Sequence, residues 1–308
     1  MGKYKAEKVA FLGLGSMGQG MAANLQRKGT QLTVFDIKSE RCEPVEALGA
    51  RVAESLADAV KDADIVFTIL PATQHVREAL LGKGGVAETM PQGGIIVEMS
   101  TIAPTATDEI AAECARRGYC FIDAPVGRPA THAISGESLF MVGSDDDDAF
   151  ETLRPLLDKM GTAIFRTGSV GSGVRLKVVN NFMVMATAQV TSEALLLAAK
   201  MGLDIDLLKE VTGATSATNG QFQIVFASKV LAGDTDPGFT LDLAYKDITL
   251  ALDAAAALRI GLPVGAAVSA AFQQARSTSY ATKDFTALLD FAAEIADVKP
   301  VRLKSGRM

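Results

Sequence analysis

A glycine pattern set between a strand and a helix constrains this chain more than any other feature. Lys8-Val-Ala-Phe-Leu12 is a short apolar run that stops at Gly13, and Met17, Met21 and Leu25 then recur at helical spacing up to Lys28. Between them lies Gly13-Leu14-Gly15-Ser16-Met17-Gly18, a G-x-G-x-x-G. Taken alone, such a pattern is weak. Here it follows a strand, opens a helix and leads to a second strand, Leu32-Thr-Val-Phe35, that ends in Asp36 about 20 residues on, the context a dinucleotide fingerprint demands. The glycines then serve a tight turn, close approach of backbone to a pyrophosphate, and close packing of helix on strand. The phosphates are expected on the N–H groups at the helix start. Gly13, Leu14, Gly15, Ser16, Met17 and Gly18 are thus candidate cofactor contacts, and Asp36 accepts hydrogen bonds from an adenosine ribose. Its charge repels a 2′-phosphate, which favours NAD over NADP, with Lys38 and Arg41 close enough to weaken that preference.

Strand and helix patterns go on alternating through the first half. Buried strands are expected over Ala63 to Leu70, Ile95 to Glu98, Tyr119 to Asp123, Leu139 to Val142 and Ala163 to Phe165, with helices after Pro71, from Pro104 to Arg117 and from Asp147 to Met160. This is an α/β chain, with a Rossmann-type doubly wound sheet over residues 1–170. Ligands of such sheets bind outside the carboxyl ends of the strands. Leu70, Pro71, Ser100, Thr101 and the Asp123 to Arg128 loop lie at those ends. The run Asp145 to Asp148 is expected to cap a helix start, not to bind metal.

From Gly171 no strand pattern remains, and residues 171–308 are expected to form an all-helical domain that begins with a long interdomain helix. No Pro or Gly interrupts Val174 to Met201, a helix on the order of 40 Å long. Lys177 and Asn181, four apart near its start, share one face. A lysine among Val, Leu, Phe and Met is a proton donor or acceptor if burial lowers its pKa, or a snorkelling helix-start charge if it reaches solvent. Further helices are expected from Asp204 to Thr212, Gln223 to Leu231, Leu241 to Arg259, Val264 to Arg276 and Phe285 to Ala296.

Composition excludes several functions. A net charge of −6 without a basic run argues against nucleic acid. Cys42, Cys114 and Cys120 lack metal-ligand spacing, so no metal is expected. Only His75 and His132 are present, neither in a nucleophile motif, which removes triad chemistry. The N-terminus is charged and runs straight into a strand, so no signal peptide is expected and the location is read as cytoplasmic. No apolar run approaches membrane-spanning length, so no membrane partner is expected.

The segments Gly13 to Leu25, Met99-Ser-Thr-Ile-Ala-Pro104, Asp123-Ala-Pro-Val126, Gly171 to Asn181 and Leu243-Ala-Tyr-Lys-Asp-Ile248 resemble, in order and over nearly the whole chain, the successive signatures of the β-hydroxyacid dehydrogenases, the 3-hydroxyisobutyrate dehydrogenase-like family. The resemblance implies NADH-dependent, reversible hydride transfer between a short anionic semialdehyde and its 3-hydroxy acid. It implies Lys177 as catalytic acid/base, Asn181 on the substrate, Ser100 near substrate or nicotinamide, Lys246 closing over the cofactor, and a homodimer or homotetramer.

One departure bears on the substrate. Where most relatives continue Asp-Ala-Pro-Val with Ser-Gly-Gly, this chain has Gly127-Arg128-Pro129, which adds a positive charge and a planar fork of donors. With Gly173 to Asn181 and Gln274-Ala-Arg276, the loop is most similar to the 3-sulfolactaldehyde reductase branch. By that resemblance Gly127 and Arg128 bind a sulfonate, with help from Asn180 or Asn181. The alternatives are a carboxylate semialdehyde with Arg128 in a salt bridge, for instance to Glu137, and, more remotely, a dinucleotide-binding scaffold without activity.

Overall fold

The computed structural model describes residues 3–304. The chain divides into two compact units, the boundary falling between Lys177 and Val178. The sequence-based boundary, 170/171, lies a few residues earlier. The difference has a physical cause: the helix that starts at Ser172 has its first turn tied to the sheet, so its opening residues belong to the first unit.

Among the described residues that unit holds nine strands: β1 (Lys8–Leu12), β2 (Gln31–Phe35), β3 (Arg51–Val52), β4 (Ile65–Thr68), β5 (Ile95–Glu98), β6 (Cys120–Asp123), β7 (Val126–Gly127), β8 (Ser138–Gly143) and β9 (Gly161–Gly168). They form one sheet in the order β3-β2-β1-β4-β5-β6-β8-β7, with β9 beside β8. The run from β3 to β6 is parallel, and its order is the dinucleotide-binding one. Beyond β6 the sheet turns antiparallel through β8 and β7. Strands β4 and β5 are buried along their whole length, as expected when helices cover both faces. Two cores result. One packs Phe11, Phe67, Val97 and Phe140 against Met21 and Leu25, and the other packs Ala10, Val66 and Ile96 against Ile110 and Cys114.

The second unit is helical. The helix Ser172–Lys200 continues into it and is followed by helices Ile205–Gly213, Leu241–Ala257, Pro263–Arg276 and Leu288–Ile295. Met185, Ala188 and Leu195 of the long helix join Phe226, Ile248, Phe272 and Leu289 in one core. The helix expected over Gln223 to Leu231 is instead a π-helical stretch, Gln221–Phe226, and a separate turn, Val230–Ala232. Asn219 opens the stretch by accepting from the Phe222 amide. The long helix corrects the expectation that no apolar run approaches membrane-spanning length: it has 29 residues and a window of mean hydropathy 1.5, long and apolar enough by length and composition alone to cross a membrane. Its apolarity has two sources, the core face just named and an exposed face bearing Leu176, Met183, Val190 and Leu197.

Candidate active site

The glycine loop is shaped by three different demands. Gly13 adopts φ +92°, and a Cβ there would lie 2.3 Å from the Ile69 carbonyl oxygen. At Gly18 a Cβ would lie 2.0 Å from the Gly13 carbonyl oxygen. Gly15 differs: a Cβ would meet no protein atom within 4 Å. Nothing inside the protein demands glycine there, whereas a pyrophosphate lying against the backbone does. No side chain caps the helix Gly18–Arg27 that follows; the Gln19 amide donates to the Gly15 carbonyl at 3.1 Å, and the positive end of the helix faces the loop, where an anion is favoured. The residues fit a dinucleotide.

Asp36 stands at the end of β2. Its carboxylate accepts from the Leu14 amide at 2.7 Å and the Lys38 amide at 2.9 Å, and Arg41 Nη1 lies 3.6 Å away. One carboxylate therefore fastens the loop and presents charge at the ribose end. On the far side the loop rests on Ile69 and Leu70, and Leu70 donates its amide to Ser100 Oγ at 2.7 Å. Ser100 is 3% exposed, while Thr101 is half-buried and Pro71 exposed.

Two carboxylates that the sequence reading left without a role lie behind these residues, on adjacent strands and in register. Glu98, 1% exposed, accepts from the Ser100 amide at 2.5 Å and from the Thr68 hydroxyl. Burial pushes it up to about 7, against the pull of its hydrogen bonds from Ser100 and Thr68. Asp123 accepts from the Gly171 amide at 2.6 Å and the Val174 amide at 2.7 Å. Burial pushes it up to about 6. Asp123 thus holds the first turn of the helix that carries Lys177, where negative charge suits the free amides. The signal for both was present: each is the one charged residue closing an otherwise apolar strand.

The loop after β6 does not form the salt bridge to the Glu137 carboxylate that was the alternative to sulfonate binding. Gly127 pairs with Leu139 across β7 and β8. Arg128 has φ +69° and donates through Nη1 to the Glu137 carbonyl at 2.6 Å and to Thr162 Oγ1 at 2.8 Å. It bonds the backbone of Glu137, whose carboxylate accepts instead from Ser135. A cavity of about 580 Å³ lined by Tyr4, Tyr119, Cys120 and Val170 shares no residue with any of these features.

Lys177 is half-buried, on the helix Ser172–Lys200. In the second unit, Asn181 is buried and Asn180 exposed. Asn181 donates through Nδ2 to Asp247 Oδ2 at 2.5 Å and accepts from Asn180 Nδ2 at 3.1 Å. Asp247, 3% exposed, sits on the helix Leu241–Ala257 beside Lys246, whose Nζ lies 2.9 Å from its Oδ1. The sequence reading passed over Asp247. Its bond fixes which way the Asn181 amide faces.

Two family models match the chain. Residues 8–168 match the NAD binding domain of 6-phosphogluconate dehydrogenase, and residues 171–292 match the NAD-binding domain of NADP-dependent 3-hydroxyisobutyrate dehydrogenase. The chain is 38% identical to a 3-sulfolactaldehyde reductase of Escherichia coli (strain K12), over 92% of this chain and 94% of that protein. It is 36% identical to an NAD-dependent L-serine dehydrogenase of Pseudomonas aeruginosa, over 91% of this chain and 96% of that one. A crystal structure of 3-hydroxyisobutyrate dehydrogenase from Salmonella typhimurium superposes with a TM-score of 0.83 at 29% identity, covering 92% of this chain and 99% of the other.

Proposed function

The chain belongs to the 3-hydroxyisobutyrate dehydrogenase family, oxidoreductases that act on a CH–OH group with a nicotinamide dinucleotide, and from that premise we propose that it reduces a short anionic semialdehyde with NADH, 3-sulfolactaldehyde being the best candidate. The observation that carries the reading is Lys177 one helical turn from Asn181, with the Asn181 amide oriented by a buried carboxylate. The bound nicotinamide supplies the hydride. As negative charge grows on the aldehyde oxygen, a donor placed there stabilises the transition state more than the ground state. Lys177 as ammonium gives that oxygen its proton, and in the reverse direction the neutral amine takes it from the alcohol. Asn181, held by Asp247, orients the same substrate.

Two finer points have their own support. For NADH over NADPH it is the Asp36 carboxylate at the ribose end, partly offset by Arg41. For a sulfonate it is Gly127-Arg128, a loop that adds a guanidinium anchored through one nitrogen, together with the 38% identity to a 3-sulfolactaldehyde reductase. A carboxylate semialdehyde is the second reading, since the bonds of Arg128 to Glu137 and Thr162 already give it a structural role. Initial rates with 3-sulfolactaldehyde beside methylmalonate, tartronate and succinic semialdehydes, with NADH and then NADPH, separate these readings. A large kcat/KM advantage for the sulfonate, lost in Arg128→Ala through a raised sulfonate KM and not a raised NADH KM, is the expected result. Preference for a carboxylate would leave Lys177 and the cofactor site standing and return Arg128 to loop anchoring.

We also infer a homodimer or homotetramer. Leu176, Met183, Val190 and Leu197 are all exposed and recur every seven residues on one helix, the spacing of a seam that packs against another helix. A monomer in sedimentation at micromolar concentration would overturn that inference.

A further inference from the structure

Glu98 lies behind the cofactor loop, and its bonds form a continuous relay toward it. The carboxylate accepts from Thr68 at the end of β4 and from Ser100 just past the end of β5. Ser100 in turn accepts the Leu70 amide at 2.7 Å. Ile69 and Leu70 are the surface on which the glycine loop rests: a Cβ on Gly13 would lie 2.3 Å from the Ile69 carbonyl oxygen and 2.9 Å from Leu70 Cδ2, and one on Gly18 would lie 2.9 Å from Ile69 Cγ2. A shift of that backbone by a few tenths of an ångström therefore reaches the loop. Asp36 fastens the loop's opposite side through the Leu14 amide.

We propose that Glu98 is a positioning residue for the dinucleotide: through Ser100 it fixes the Leu70 amide, and so the Ile69–Leu70 backbone that shapes the phosphate loop. A carboxylate buried to this degree is costly unless its oxygens are satisfied, and here they are satisfied by the two strand ends that the loop depends on. The other ionisable groups near it are Asp123 on β6 and Cys114 on the helix Pro104–Arg116. Neither lies in the relay. The proposal rests on the family's dinucleotide site and not on the identity of the aldehyde.

NADH binding to the purified full chain, followed by nicotinamide fluorescence, tests it in Glu98→Leu, Glu98→Gln, Ser100→Ala and the Glu98→Leu/Ser100→Ala double variant. Leu removes every acceptor, whereas Gln keeps an oxygen for Ser100 and offers an N–H to Thr68 Oγ1. The NADH Kd is expected to rise about tenfold in Glu98→Leu and in Ser100→Ala, and to stay within about threefold of wild type in Glu98→Gln. In the double variant it should exceed the weaker single variant by less than about twofold, because both changes break one relay. The proposal is overturned if Glu98→Leu binds NADH as wild type does, or if its loss multiplies with that of Ser100→Ala. Should Glu98→Leu fail to fold, Ser100→Ala decides with ADP-ribose, which lacks the nicotinamide that Ser100 could touch directly: a raised Kd restored by Ser100→Thr supports the relay, and an unchanged Kd overturns it. A wild-type chain that binds NADH but reduces no semialdehyde would remove the proposed substrate class and leave this relay intact.

Discussion

The two units hold their candidate site residues by different means. In the first, the cofactor loop is a backbone construction. Gly13 and Gly18 are set by contacts with carbonyl oxygens, and the amides of Leu14, Leu70 and Val174 are accepted by Asp36, Ser100 and Asp123 in turn. In the second, the corresponding feature is one bond between side chains, Asn181 to Asp247. A backbone construction of this kind is most sensitive to an added atom, such as a Cβ at Gly13 or Gly18. A side-chain pair behaves the other way round.

The sharpest test sets the cofactor loop against a single side chain of the same unit, Lys177. Lys177→Met keeps the length of the side chain and removes the ammonium, so kcat should fall about a thousandfold, within the range for general acid–base catalysis. The NADH Kd should stay within about threefold, because no backbone bond of the loop is touched. Stopped-flow hydride transfer and fluorescence titration give the two values, and a parallel loss of both would break the contrast. Next in size are the glycines. Gly18→Ala places a Cβ 2.0 Å from the Gly13 carbonyl oxygen, and about a hundredfold weaker NADH binding with a lowered Tm is expected from such overpacking. Gly15→Ala should weaken NADH binding without lowering Tm, since its Cβ meets only open space. A fall in Tm at Gly15 would show that the loop is shaped by protein contacts alone.

A smaller effect is expected in the second unit. Asp247→Asn leaves the residue's size unchanged but weakens the bond that orients Asn181, and about a tenfold loss in kcat/KM for the semialdehyde should follow. NADH binding should change less. If NADH affinity falls as much as kcat/KM, Asp247 acts through its neighbour Lys246 and not through Asn181.

These residues also show where the sequence was legible. The glycine loop, Asp36 and the parallel strands were readable because each is a local pattern: a period of two, a period of 3.6, or a fixed spacing. Lys177 and Asn181 were readable for the same reason, one turn apart on one helix. The rest depends on partners distant in sequence. Asp247 meets Asn181 across 66 residues, and Arg128 meets Thr162 across 34, which no local period encodes. Strand β7 has two residues, too few for any alternation, and exists because β8 pairs with it. The opening turns of the long helix read as part of the helical domain, yet Asp123 ties them to the sheet.

The smallest effect is a pH dependence that belongs to the first unit alone. Glu98 moves from 4.5 to about 7 and Asp123 from 3.8 to about 6, both because burial disfavours the charged form. Each folded-state pKa lies above its unfolded value, so between these values the folded protein holds protons that the unfolded chain has released. Stability must then fall as pH rises from about 4 to about 7, and level off once both groups are ionised in both states. Glu98→Gln and Asp123→Asn should each remove part of the slope, because an amide cannot titrate, while changes in the second unit leave it intact. In differential scanning calorimetry from pH 4.5 to pH 8, a slope unchanged in both variants would assign the titration to other groups. A slope reversed in sign would mean that the donors from Thr68, Ser100, Gly171 and Val174 outweigh burial, making the two carboxylates net stabilisers of the sheet ends and not a cost the fold carries to hold its glycine loop and the helix of Lys177 in place.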